Sequence, residues 1–184
     1  MDELLVKTKE SIENKDFYSI IKDIATNEVV RQMKNYRQHY DTSTYKHCIH
    51  VAYLSYKIAK KLHLDYVALA RAGMLHDLFL YDWRKKQRDM EIEGLHAFVH
   101  PKIALKNASA LFTLNEKEKD IIVKHMWPVT FALPKYKESF IITFVDKYCA
   151  ITESTSYYAR FLNKKKVYRY AYVFLCLLGS LAVV

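Results

Sequence analysis

The chain is poor in the residues that punctuate and staple small folds: three glycines, three prolines and three cysteines among 184 residues. So few glycines exclude the phosphate-cradling P-loop and the dinucleotide fingerprint, which need several at fixed spacing. Few turn residues, together with long apolar periodicities, argue for helices joined by short loops. The expected fold class is all-α. Cys48, Cys149 and Cys176 lie far apart and form no Cys-x-x-Cys pair, which argues against a disulfide framework and a thiolate zinc site and for a reducing compartment. Low-complexity tracts and repeats are absent. No signal peptide is expected, because Met1 to Glu10 is already charged and amphipathic. A cytoplasmic chain of one domain follows.

The formal net charge is +9, of which Arg160, Lys164, Lys165, Lys166 and Arg169 supply +5 within ten residues. That concentration argues against a nucleic-acid polymer as partner. The basic block precedes Ala171 to Val184, fourteen residues without a charge, short of the roughly 20 needed to span a bilayer. Two readings of 164–184 follow: a C-terminal helix docked on the core, or a tail touching the inner face of the membrane. The expected organisation is packing helices over 1–43, a metal-bearing domain over 44–154, and the basic and apolar segment over 155–184.

In chain order, residues 2–14 and 17–38 read as two packing helices. Asp41-Thr-Ser-Thr44 is a cluster of N-cap residues opening a helix from about Tyr45 to Leu62. On it His47, Val51, Leu54 and Ile58 are spaced 4, 3 and 4 apart, so His47 sits on the buried stripe, while His50 and His63 fall off it. The next helix, about Tyr66 to Leu78, carries His76-Asp77 at its C-terminal end. A basic, aromatic loop, Tyr81 to Arg88, separates it from His96 and His100. Pro101 suits the first turn of a helix, which places His100 at that helix's N-terminus. Asn115 and Glu118 form a capping-box pattern. Ile121 and Ile122 lie four and three residues before His125, which therefore faces inward with them. Asp146 lies in the middle of an apolar helix from Glu138 to about Ser154, four after Ile142.

Burying an imidazole or a carboxylate without a partner costs several kcal/mol, by order of magnitude. Taken singly, each of these residues could be a satisfied core or surface group. Together, five helical segments each offer an inward-facing His or Asp, or a His-Asp pair: His47, His76-Asp77, His100, His125 and Asp146. Four imidazoles and two carboxylates suit one or two first-row metals, and helical bundles build such sites from facing helices.

That order, with gaps of 29, 23, 25 and 21 residues, resembles the HD-domain superfamily of metal-dependent phosphohydrolases in its six-ligand H…HD…H…H…D form. Ala70-Arg-Ala-Gly-Met-Leu-His-Asp77 resembles the helix leading into the HD pair, and His100-Pro101 the third-histidine context. The resemblance implies an all-α helical bundle holding two divalent metal ions, with iron or manganese foremost and zinc, magnesium or nickel as further options. His47, His76, Asp77 and Asp146 would hold one ion. His100 and His125 would hold the other, with Asp77 as bridge because a carboxylate has two oxygens. A water bridging two such ions would be ionised near neutral pH and would attack phosphorus in line. Arg84, Lys85, Lys124 and Lys147 are candidate contacts to an anionic substrate, with Arg84 and Lys147 preferred for substrate binding. His96 is the candidate proton donor to the leaving group, which makes it and Asp77 the catalytic pair. Many members carry a small residue and then a lysine soon after the HD pair; here that stretch is Leu78-Phe-Leu-Tyr81, so the substrate contact must come from elsewhere.

The expected function is hydrolysis of a phosphate ester or anhydride of a small metabolite, most plausibly a nucleotide. The alternatives are a mixed-valent di-iron oxygenase of the same superfamily and a non-catalytic ligand-sensing module.

Overall fold

Capping residues set the register of the bundle. The computed structural model describes residues 2–39, 41–84 and 94–164, and the side chains within 14–160 of these. Among them are seven helices: α1 (Asp2–Thr26), α2 (Glu28–Arg31), α3 (Thr44–Lys61), α4 (Tyr66–Leu75), α5 (His96–Leu111), α6 (Glu116–Lys124) and α7 (Lys137–Lys164). Ser43 caps α3 through the Lys46 N–H, and Asp65 caps α4 through the Ala68 N–H. Asn115 and Glu118 close a reciprocal capping box on α6, at 2.8 Å each way. Each such cap is worth about 1 kcal/mol. The all-α expectation holds, with one small exception. Arg37–His39 (β1) and Thr42–Ser43 (β2) pair as an antiparallel hairpin before α3, with Arg37 opposite Ser43.

Five boundaries differ from the sequence expectation, one of them the end of the helix expected over 17–38, which gives way to a 3-10 turn at Gln32–Asn35 and then to β1. Residues 2–26 form one helix, because nothing at 15–16 breaks it, and the break falls at Asn27, whose side chain accepts from Val29 and Val30 N–H to start α2. Helix α4 ends at Leu75, so His76 and Asp77 turn out of it. Helix α5 begins at His96, with His100 one turn inside it. Its first turn closes on the Leu95 carbonyl without a side-chain cap, so no cap residue marks that start. Helix α7 runs on to Lys164, since no Gly or Pro interrupts it. The apolar C-terminal stretch and its two readings lie outside the described residues. No described helix is long and apolar enough to cross a membrane.

The core is centred on α3 and α4. Tyr56, Leu69, Met74, Leu75, Ile121, Ile122 and Ile142 are fully buried, each worth about 1.5–3 kcal/mol of transfer free energy. Gly73 of α4 packs onto Ala52 of α3 so closely that a Cβ at 73 would lie 2.7 Å from the Ala52 Cα. Only glycine allows that approach, which brings His47 and His76 to the same end of the two helices. At another side of the bundle Asp120 accepts from the Ser139 hydroxyl at 2.7 Å and the Lys135 N–H at 3.0 Å, and pairs with Lys124. Glu138 accepts from Lys117 at 2.9 Å and from the Asp65 N–H at 3.1 Å. These contacts join α6 to the start of α7.

Candidate metal centre

Five segments converge on one buried cluster. His47 comes from α3, His76 and Asp77 from the turn after α4, His100 from α5, His125 from the end of α6, and Asp146 from α7. All six are buried. Their ligand atoms fall into two groups, each within 4.8 Å internally: His47, His76, Asp77 and Asp146, and Asp77, His100 and His125. Asp77 is common to both.

Backbone carbonyls fix three of the imidazoles. His76 Nδ1 lies 2.8 Å from the Gly73 carbonyl, His100 Nδ1 2.8 Å from that of His96, and His125 Nδ1 2.8 Å from that of Ile122. A carbonyl only accepts, so each Nδ1 carries a proton and Nε2 is left for the centre. The Nε2 atoms of His100 and His125 stand 2.9 Å apart, and two such nitrogens need a proton or a cation between them. His76 Nε2 and Asp77 Oδ1 are buried without a hydrogen bond. The latter has His100 Nε2 at 3.2 Å and His125 Nε2 at 3.5 Å.

The electrostatics ask for cations. Burial opposes charge on His47, but hydrogen bonds to Asp146 (2.9 Å) and Glu153 (3.1 Å) outweigh it and raise its pKa to about 10. Burial likewise opposes charge on His76, and the carboxylate of Asp77 overcomes it, leaving the group well above 6.5. Despite burial, His76 and then His100 hold the Asp77 carboxyl far below its usual range, and His47 does the same for Asp146. Burial, and after it His76, pushes His125 down to about 3, so that ring is neutral. Deeply buried carboxylates, a neutral imidazole with a bare Nε2 and two orphaned polar atoms make a donor set that fits divalent cations.

A cavity of about 300 Å³ opens onto the cluster, walled by Gln38, His39, Trp83, His96, Met126, Val129 and Lys147 among others. His96 is stacked on Trp83 and His100, with the Tyr81 hydroxyl 3.0 Å from its Nδ1. Burial, then His100, lowers its pKa to about 4, so it is neutral at neutral pH. Half-buried Lys147 donates to the His125 and Thr143 carbonyls at 3.3 Å. Arg84 is exposed, pairs side-on with Asp82 at 2.9 Å and does not line the cavity. Lys124 is taken up by Asp120, and Lys85 lies outside the described residues.

Three polar neighbours escaped the sequence reading. Gln38, on the hairpin, donates to Asp77 Oδ2 at 2.6 Å. His39 stands edge-on to His47 with ring centroids 5.4 Å apart. Glu153 accepts from His47 across 106 residues of chain. A two-strand hairpin carries no periodic signal, and Glu153 sits on a helix expected to stop at the next residue.

Residues 44–151 match the HD domain family, more than half of the chain, and the protein belongs to that family. Divalent metal binding and hydrolase chemistry are properties of that family at the coarse level. Among curated proteins, the chain is 35% identical over 80 residues to Ribonuclease Y of Clostridium kluyveri, a match covering 44% of this chain and 14% of the relative. It is 34% identical over 80 residues to Ribonuclease Y of Clostridium tetani, with the same coverage. A third, Ribonuclease Y of Staphylococcus epidermidis, is 39% identical over 72 residues, covering 39% of this chain and 13% of that protein. The match thus spans about one seventh of these relatives. No solved structure matches the chain.

These names overturn the expectation that no nucleic-acid polymer is a partner. That expectation rested on charge crowded near the C-terminus, which measures a long-range field. A scissile phosphate gripped by a metal centre draws its charge compensation locally, from the ions, so the distribution of surface lysines does not exclude a strand.

Proposed function

We propose that the chain is a metal-dependent phosphohydrolase that cleaves phosphoester bonds of nucleotide substrates, with an RNA strand as the first substrate to test. The observation that carries this reading is the pair of ligand groups sharing Asp77 at the floor of an open cavity. His47, His76, Asp77 and Asp146 would hold one divalent ion, and Asp77, His100 and His125 the other. Bound there, such a pair supplies charge neutralisation for phosphoryl oxygens and a water acidified towards neutral pH.

The chain's own residues supply the rest. Gln38 fixes the Asp77 carboxylate through its second oxygen. Lys147, at the cavity wall, offers a cationic contact to a phosphate, and its partial burial weakens competition from water. His96 is neutral, and with Nδ1 accepting from Tyr81 it presents Nε2–H as a hydrogen-bond donor to the leaving oxygen. The wall of Trp83, Met126 and Val129 gives a base or sugar an apolar surface. The names of the relatives favour RNA over a free nucleotide.

The test is metal content per chain on protein purified without chelators, with cleavage of a short end-labelled RNA and of nucleoside phosphates assayed on the same sample. Two metals per chain and chelator-sensitive cleavage are expected. Two irons with oxygen consumption and no cleavage would replace this reading by the oxygenase one. A chain that takes up no manganese or iron would end it.

A further inference from the structure

Three of the four imidazoles in the centre are held alike, each Nδ1 bonded to a carbonyl three or four residues earlier in its own segment. His47 is the exception. Its Nδ1 lies 3.1 Å from Oε2 of Glu153, a carboxylate carried by α7. Glu153 is itself held: its side chain is 9% exposed, and its other oxygen lies 3.4 Å from Nδ1 of His50, almost one turn along α3 from His47. One carboxylate thus ties two histidines of α3 to α7.

A carboxylate draws on the Nδ1 proton harder than a carbonyl does, which fixes the ring and makes the opposite nitrogen a stronger donor to a metal. Only one of the two ligand groups has this support. The same group also has Asp146 to itself, whereas among the described residues the group of His100 and His125 has no carboxylate beyond the shared Asp77. We propose that Glu153 is a positioning residue that orients His47 and makes the position formed by His47, His76, Asp77 and Asp146 the tighter of the two, so that the ions load in order. This rests on the metal reading above.

The experiment titrates the full chain, stripped of metal by chelator and dialysed, with Mn²⁺ in a calorimeter. The wild type, Glu153→Ala and Glu153→Gln are compared, with circular dichroism of each metal-free sample. The wild type should bind two ions in two resolved steps. Glu153→Ala should weaken the tight step by about 10- to 100-fold and change the other by less than about threefold. Glu153→Gln keeps an oxygen able to accept from Nδ1–H without the charge, and should lose less. A tight step unchanged in both variants would overturn the proposal, as would equal weakening of both steps. So would three ions per wild-type chain, which would put a cation among His39, His47 and Glu153. Should Glu153→Ala fail to fold, Glu153→Gln alone decides by the same criterion. A wild type that binds no Mn²⁺ ends the metal reading itself, an outcome visible before any variant is compared.

Discussion

The bundle buries two sets of carboxylates, and they are treated differently. Asp120 and Glu138 are met by a hydroxyl, backbone N–H groups and lysines, all directed at their oxygens. Asp77 and Asp146 are met mainly by imidazoles, and one Asp77 oxygen and one His76 nitrogen are buried with no hydrogen bond. A satisfied network holds helices together and asks for nothing else. An incomplete one must be completed by something from outside, and the chemistry of its donors says what. The contrast separates the joint from the site without reference to function.

Breaking the incomplete cluster should have the largest effect. Asp77→Ala should lower phosphoester cleavage by more than about 100-fold and strip metal from the chain, because even residues behind metal ligands cost about 10- to 100-fold when removed. Chelation of the wild type should lower Tm by several degrees. Metal at 100 times its Kd contributes about 2.7 kcal/mol, and each kcal/mol moves Tm by about 2–4 °C at this size.

The satisfied cluster should answer in stability alone. Asp120→Ala should cost about 1–3 kcal/mol in urea unfolding, by leaving buried donors unmet, with metal content per folded chain unchanged. Its pH dependence sharpens the difference. Burial alone would raise the Asp120 carboxyl, but Lys124, Ser139 and the Lys135 N–H prevail and hold it below its ordinary value. The stabilisation is therefore full above the unfolded pKa near 4 and is lost as pH falls through the folded value. Wild-type stability should drop below about pH 4, and less so in Asp120→Ala.

Smaller effects belong to the cavity rim. Lys147→Ala should raise KM for a phosphorylated substrate about tenfold with metal content intact, the size of one charged hydrogen bond. Arg84→Ala should change KM by less than about threefold, because the guanidinium is exposed and already engaged by Asp82. A tenfold effect at Arg84 would show that its guanidinium leaves Asp82 for the substrate.

Three of the six candidate ligands were legible from helical periodicity, which aims side chains inward: His47 follows from Val51 and Ile58, His125 from Ile121 and Ile122, and Asp146 from Ile142. Their convergence came from order and spacing, through the resemblance to a family. What surrounds them was not legible. Gln38 and His39 lie on a hairpin too short for a pattern, and Glu153 meets His47 only because α3 and α7 pack side by side. The start of α5 was misplaced because Leu95 gives no cap signal and Pro101 gives a misleading one. The shortened α4 matters more. Ending that helix at Leu75 lets His76 and Asp77 turn towards the other segments.

The contact between Gly73 and Ala52 also acts as a gauge. A methyl group added at 73 would lie 2.7 Å from the Ala52 Cα, a backbone atom that cannot swing aside, so the two helices would have to move apart, and the same two helices carry His47 and the turn bearing His76 and Asp77. A glycine that touches no reactant thus holds the two helices at the separation that sets the His47 and His76 rings 5.6 Å apart, centroid to centroid.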